Sequence, residues 1–583
     1  MDQAWFEMSD IRRAKLATAV WIPLRAVQNI ERTGKFGFVG FKEDFFGAGS
    51  VAVPVENKDA AMQLGWDSVG IAHNHAGYVE DGRYIQADVY VSHRGNFVGV
   101  NLVLDQRGSG GEQSEWHLHQ DFVTTLGLKR EGDIWVRPDE DYIEVARMIR
   151  ASDGSKSRLE VRASHLRDYL CARGMGLIVT SYRDRSEIVQ DASHILWPND
   201  HVEDKSDHER WAGRKMAIHE GGEPYGEEMA VFHVARTDVN PEDDVPILGL
   251  PTDENLESSS WTRKFEGAKL YRIWGELWRT EWIDPASESP IVRGDKLAST
   301  VSFVIDAEGK KAAADTLVDS GRWLWFRPTV IPALMNRRGG SLKWYTRDTG
   351  AVACLSGYDV HFGVNSIGLV TVYAKDVALL PEWQQRIWAA HNVGPEGKIS
   401  EELQASQVHA RPARTKAPED FIEKGLDRLQ ERAIAKLGVP ILREHSYVRE
   451  LIPRIHRFRA TDREGLFALA KDVARITADD LDEKQLQTIV NPPKGEKWGS
   501  LKSLEKVLAL KISADDARAM LRALAGIYDL RLADAHLPSE KTLDAIKLIG
   551  LDEAVPFVHQ GYQLLDAAVS SLYRICGVIE KEW

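Results

Sequence analysis

The sequence predicts a multidomain α+β protein, with β-rich N-terminal and central regions followed by an all-α helical bundle at the C-terminus. Three observations carry that reading. Short runs with alternating apolar residues and branched side chains recur upstream of residue 401. From Phe421 onward the apolar residues recur every three to four positions instead. Between the two, EELQASQVHARPARTKAPED at 401–420 shifts to Ala, Pro, Arg and Lys. With 583 residues the chain is too long for one core. The expected divisions are an N-terminal α+β domain at 1–190, a loop-rich acidic connection at 191–260, a β-rich central domain at 261–400, a linker at 401–420 and a helical domain at 421–583.

Taken in order, GKFGFVGF, YIQADVYVSH and NFVGVNLVLD read as strands, and RGSGGE (107–112) as a turn. Helical spacing of Tyr142, Val145, Ala146 and Ile149 predicts a helix at 141–150, and Leu166, Tyr169 and Leu170 predict another at 164–171 with Ser164 as its N-cap. Residues 190–260 are polar and poor in pattern, so long loops are expected there. In YRIWGELWRTEW, Trp274, Trp278 and Trp282 share a strand face but also sit at i, i+4 and i+8. The branched run STVSFVID beyond favours a β-meander, continued by RWLWFRP, HFGVNSIG and LVTVYAK. PEWQQRIWAAHNV is expected to be a helix opened by Pro381. Downstream of Phe421 the helical runs are interrupted mainly by NPPKGEKWG.

Composition bounds the class. The chain is 43% apolar and 28% charged, ordinary for a globular protein, and has no apolar run of transmembrane length. Its beginning, MDQAWFEMSDIRRAKL, has early acids and no signal-peptide core, so a cytoplasmic protein without membrane association is expected. The three cysteines, Cys171, Cys354 and Cys576, have no close pair, which argues against a disulfide framework or a cysteine zinc site. A net charge of −14 supplies no global field for nucleic acid, yet residues 411–583 are nearly neutral, which suits a part that approaches RNA.

The stretch with most chemical content is Arg531-Leu532-Ala533-Asp534-Ala535-His536. Ser513 and Asp516 form a capping pattern, and Ala517, Met520, Leu521, Leu524, Ile527 and Leu530 form one apolar stripe behind it. Pro538 is expected to stop this helix near His536. An arginine holds phosphate with a forked, permanent charge, and a histidine moves a proton near neutral pH. Those groups suffice to cleave RNA at the 2′-hydroxyl without a metal or cofactor. One histidine takes the 2′-proton and a second protonates the leaving 5′-oxygen. One chain offers one Arg–His pair, so a two-fold homodimer is expected to complete the cleft.

This spacing resembles the R-x4–6-H signature of HEPN-superfamily ribonucleases, and residues 421–583 are similar to their helical domain. The flanking LRLADAHLPS resembles HEPN domains of prokaryotic anti-phage proteins, including ApeA-like ones. The resemblance covers under a third of the chain. It implies catalytic roles for Arg531 and His536, RNA as substrate, a composite cleft at a dimer interface, and an anti-phage or toxin-like role. The remaining residues would then form a sensor answering a phage-derived or small-ligand trigger. The family often has a polar residue after the arginine, where this chain has Leu532. Asp534 is the remaining candidate to orient the histidine, or else a solvated acid.

Other residues suggest further roles. Arg454, Arg457 and Arg459 stand in VRELIPRIHRFRATDR with Arg449, Arg463 and His456; they are candidates to track an RNA backbone, against the commoner reading of a merely solvated charged face in which Arg454 bridges to nearby acids. Trp323, Trp325 and Phe326 would stack bases or fill a sheet core. His117 and His119 share a strand face and make half of a metal site, the basis of a metal-dependent rival reading; with no Cys or third His at ligand spacing nearby, exposed or hydrogen-bonded histidines are the expected use. The string Ala72-His73-Asn74-His75 lacks the spread of a true HNH motif. Phosphate-loop, H-E-x-x-H and G-x-S-x-G motifs do not occur. The main rival is a non-catalytic HEPN-like scaffold whose β-rich half binds a protein or small ligand.

Overall fold

The computed structural model describes all residues except 71–76, 81, 93–95, 107–113, 241–244, 247–251, 266, 444–446 and 532–539. The chain forms two compact units, Met1–Leu297 and Ala298–Trp583.

The first unit is built on a 12-stranded antiparallel sheet. In chain order its strands are β1 (Trp21–Thr33), β2 (Lys42–Pro54), β3 (Val89–Ser92), β4 (Phe97–Val100), β5 (Lys129–Glu131), β6 (Ile134–Arg137), β7 (Ile143–Arg150), β8 (Lys156–Arg162), β9 (Met175–Val189), β10 (His201–Lys205), β11 (Glu209–His219) and β12 (Lys269–Ile283). The main order is β10-β11-β12-β9-β2-β1-β8-β7-β6-β5, and the β3–β4 hairpin joins β2 through Val100. Helix α1 (Ala163–Arg173) carries the chain from β8 to β9. It contributes Leu166, Tyr169 and Leu170 to a core shared with Leu24, Trp116, Phe122 and Leu177. Its N-cap is Arg162, not Ser164.

Several expectations fail here for identifiable reasons. Residues 143–150 form strand β7 rather than a helix. Val145 and Ala146 fit either period, but Asp141 and Tyr142 adopt left-handed φ values of 55° and 56° and break any helix, while branched Ile143, Val145 and Ile149 suit a strand. GKFGFVGF forms turns between β1 and β2, because Gly34, Gly37 and Gly40 take positive φ. The supposed loops at 191–260 contain β10 and β11 of the main sheet, and the two-stranded ribbon Glu228–Arg236 with Leu256–Lys264. That ribbon is mostly solvent-exposed, although its first strand is rich in apolar residues, Phe232 and Val234 among them. The central β-rich region does not begin at 261, because Lys269–Ile283 lies between β9 and β11 in the first sheet. The tryptophan run is a strand, as expected. Its Gly275 admits the backbone of Phe6, whose carbonyl oxygen would stand 2.0 Å from an added Cβ.

The second unit combines a sheet and helices. Strands β13 (Trp323–Phe326), β14 (Ser341–Trp344), β15 (Thr349–Ala353), β16 (Val360–Val364), β17 (Val370–Tyr373) and β18 (Asn392–Val393) form an antiparallel sheet ordered β14-β15-β16-β17-β13-β18. Helix α2 (Glu382–His391) follows Pro381, as the sequence indicated. The 401–420 segment is no free linker: Glu401–Gln407 is helical, and Leu403, Ala417 and Pro418 are buried.

The C-terminal helices are α3 (Ile422–Leu437), α4 (Arg463–Ile476), α5 (Glu483–Ile489), α6 (Ser500–Leu508), α7 (Ala514–Leu530), α8 (Glu540–Ile549) and α9 (Phe557–Glu582). Their apolar stripes meet in one core that includes Leu429, Val473, Leu524, Ile527, Leu572 and Ile575. Phe458 and Val558 instead join the sheet core, so sheet and helices fold together. Buried Cys354 and Cys576 fill such cores, and burial pushes the Cys576 thiol up to about 11. Among the described residues no helix is long and apolar enough to cross a membrane.

Candidate functional site

Helix α7 starts where the capping pattern places it: Ser513 Oγ accepts from the Asp516 N–H at 3.0 Å. Ala517, Leu521, Leu524, Ile527 and Leu530 are buried along one face. Gly526 lets α8 approach closely, since an added Cβ would meet the Ala545 carbonyl oxygen at 2.8 Å. The helix ends at Leu530, earlier than Pro538 alone suggests, and Arg531 caps it.

Arg531 is held from two sides. Nη1 donates to Asp479 Oδ2 in an ion pair, and the guanidinium carbon lies 4.0 Å from the Tyr528 ring centroid. Tyr528 is one helical turn upstream, so its ring sits under the residue three positions later. Asp479 follows the end of α4, where its N–H donates to the Ala474 carbonyl. The Arg531 side chain remains 22% exposed. Among the described residues Nε and Nη2 make no hydrogen bond. His536, Asp534 and Leu532 lie outside the described residues. Arg531 is thus the one expected catalytic residue that the structure places. Tyr528 was not singled out from the sequence, although its place three positions before Arg531 on the same helix is the signal that would have found it. Asp479, far upstream in sequence, gave no signal.

Arg457 requires a correction as an RNA-binding residue. It is fully buried and cannot reach an RNA backbone. Nε and Nη2 donate to the two Glu419 carboxylate oxygens, each at 2.9 Å. The guanidinium carbon lies 4.2 Å from the Trp344 ring centroid and 4.7 Å from that of Tyr562, with Asp348 at 3.6 Å. The group joins β14, the 401–420 segment and α9. Burial alone would raise the Glu419 carboxyl, but the charge and hydrogen bonds of Arg457 outweigh it and hold the group below the usual range.

Arg454 and Arg459 point elsewhere. Together with Arg475 they converge on Asp472 at 4.0, 3.9 and 3.8 Å. Asp472 is 5% exposed, while the three guanidinium groups are roughly half exposed. Oδ2 of Asp472 has no hydrogen-bond partner among the described residues. Three cations share one carboxylate, so this cluster carries more positive than negative charge. Arg463 lies over the Phe467 ring instead.

His456 adds no charge there at neutral pH. Burial pushes its imidazole down to about 4; Arg459 reinforces the shift and Glu419 opposes it. The unfolded chain therefore binds a proton, between its ordinary value and about pH 4, that the folded chain refuses. Stability falls as pH drops through that window. The loss between pH 7 and pH 4.5 is expected to be about 2–3 kcal/mol smaller in His456→Gln than in the parent, measured by urea unfolding at both values. Equal losses would contradict this account of His456.

The weaker candidates have structural uses. His119 Nδ1 accepts from the Asp121 N–H at 3.2 Å and its Nε2 lies 3.4 Å from Asp88, while His117 Nδ1 lies 3.4 Å from Arg130. Among the described residues no group of three or more His, Cys, Asp or Glu is arranged to hold a metal ion. Residues 72–75 lie outside the described residues. Phe326 is buried in the sheet core, and Trp323 packs edge-on against Tyr373 at 5.4 Å. Comparison of the chain with family models, curated proteins and solved structures finds no match in any of the three.

Proposed function

We propose that this protein is a cytoplasmic, metal-independent endoribonuclease of HEPN type. It cleaves RNA by 2′-hydroxyl attack in a homodimer, under control of its N-terminal half, in an anti-phage or toxin-like role. The observation that carries the reading is a partly exposed Arg531 guanidinium, fixed at the end of α7 by Asp479 and Tyr528, five positions before His536.

In this reading the Arg531 fork binds the non-bridging phosphate oxygens and stabilises the charge that grows on them. The two His536 imidazoles of a two-fold dimer serve as base toward the 2′-oxygen and acid toward the 5′-oxygen, each transfer contributing about 10²–10⁴-fold. Asp479 and Tyr528 are positioning residues that orient the guanidinium. The Arg454, Arg459 and Arg475 rim contacts the RNA backbone away from the reacting phosphate.

That rim is testable by itself. Replacing all three arginines with alanine is expected to weaken binding of a single-stranded RNA about tenfold or more. It should also flatten the slope of log affinity against log salt by roughly 2, as three lost phosphate contacts require. Fluorescence anisotropy across a salt series measures both, and an unchanged slope would exclude the rim from the interface.

One observation favours a second reading. The same Asp479 ion pair is also a sound structural use for Arg531 in a non-catalytic HEPN-like scaffold. Expression in bacteria separates the two. The nuclease reading expects toxicity that His536→Ala relieves; the scaffold reading expects neither toxicity nor any effect of that change.

A further inference from the structure

The first unit contains a cavity of about 260 Å³ that the ribonuclease reading does not use. It lies on one sheet face across β12, β9, β2, β1 and β8, under residues 11–19. Ser181 on β9 is a small lining residue, set between the larger Phe46, Arg183 and Arg279 of the same wall. Ile11, Leu16, Trp21, Phe46 and Leu277 supply apolar walls.

Residues 11–19 form the roof and are latched by charge. Arg279 donates to the carbonyls of Ile11, Arg12 and Ala14, and Glu281 accepts from the Leu16 N–H at 2.8 Å. The remaining charges are unevenly matched. Asp44 neutralises Arg183 through two bonds of 2.8 and 2.9 Å, and Glu209 neutralises Arg279. Glu160, 5% exposed, faces both Arg147 and Arg158, and Arg147 has a second carboxylate, Glu144, at 3.8 Å. Arg158 Nε lies 3.1 Å from it yet makes no hydrogen bond. Lys15 has no ion pair among the described residues. Among the lining side chains Lys15, Arg158, Arg183 and Arg279 outnumber Glu160 and Glu281. Arg158 Nε and, on the opposite side of the charge balance, Glu281 Oε1 both lie buried without a hydrogen-bond partner.

We propose that this cavity binds a small amphipathic monoanion, its apolar body against Trp21, Phe46 and Leu277 and its acid group between Lys15 and Arg158. The readout involves no RNA, so this inference stands or falls separately from the ribonuclease reading.

The full chain is titrated with 1-anilinonaphthalene-8-sulfonate, an anion with an apolar aromatic body. Saturable binding at one site per chain is expected. Octanoate should displace the dye, and octyltrimethylammonium of equal chain length should not. Ser181→Trp, which fills the cavity, should weaken binding tenfold or more. Arg158→Met, which leaves the apolar walls intact, should weaken it about fivefold and keeps the test decisive if the tryptophan variant does not fold. Non-saturable dye binding, displacement by both surfactants alike, or full affinity in the folded Arg158→Met variant would overturn the proposal.

Discussion

Arg531→Ala is expected to lower RNA cleavage by about 10³-fold or more while leaving the helical core intact. The size follows from the role: a preorganised cation aimed at a phosphate acquiring charge is worth roughly 10²–10³-fold or more where water is excluded. The core survives because the aliphatic stripe of α7, not Arg531, packs it, and the Asp479 carboxylate left behind is 30% exposed and rehydrates. Arg531→Lys keeps the charge but loses the fork, so only partial recovery is expected. His536→Ala should be at least as damaging, and the double variant no worse than the poorer single, because the groups act on one transition state. Asp479→Ala should cost about tenfold, through disorder of the guanidinium. These changes are read as single-turnover rates on a labelled RNA, with thermal unfolding as the control. Full activity in a folded Arg531→Ala protein would remove the residue from the mechanism.

The second large effect concerns stability. Arg457→Met is expected to destabilise the second unit by about 3–5 kcal/mol, because it strands the Glu419 carboxylate in a buried site with no counter-charge. Adding Glu419→Leu should recover more than half of that loss, since replacing both ions with apolar groups removes the stranded charge. Lowering the pH acts on the same pair. The Glu419 carboxyl is held below its ordinary value in the folded state, so its contribution is present above that value and is lost as pH falls through the depressed one. Urea unfolding of the single and double variants measures the coupling. A near-neutral Arg457→Met would contradict the assignment of this arginine to the core, and would reopen its candidacy for RNA.

The contrast between Arg457 and Arg531 shows where sequence reading succeeds and where it stops. The stripe of α7 and its Ser513 cap were legible because both are local: burial on one helix face and a cap within a single turn depend on neighbours three or four positions away. The direction of an arginine is not local. VRELIPRIHRFRATDR reads as one basic face, yet Arg457 turns inward to Glu419, Trp344 and Tyr562 while Arg454 and Arg459 turn toward Asp472. Those partners come from distant parts of the chain. The same holds for β12, whose tryptophans were readable as a strand but whose membership of the first sheet depends on pairing with β9 and β11. Strand β7 was missed because a short segment with apolar residues at both spacings satisfies either period, and the left-handed residues 141 and 142 that decide it have no apolar signature. The cavity under residues 11–19 was invisible for another reason. It is lined by residues of five strands and of the segment 11–19, which no local sequence pattern brings together.

The most direct test of the central claim is the chemistry of the RNA ends. Purified protein is incubated with a 5′-labelled RNA in excess EDTA, beside its His536→Ala counterpart, and the fragments are resolved before and after acid opening of cyclic phosphates. The account requires cleavage by the parent alone, giving 2′,3′-cyclic phosphate on the upstream fragment and a free 5′-hydroxyl downstream. Cleavage that needs Mg²⁺ and leaves 3′-hydroxyl ends, or cleavage that survives His536→Ala, would contradict it.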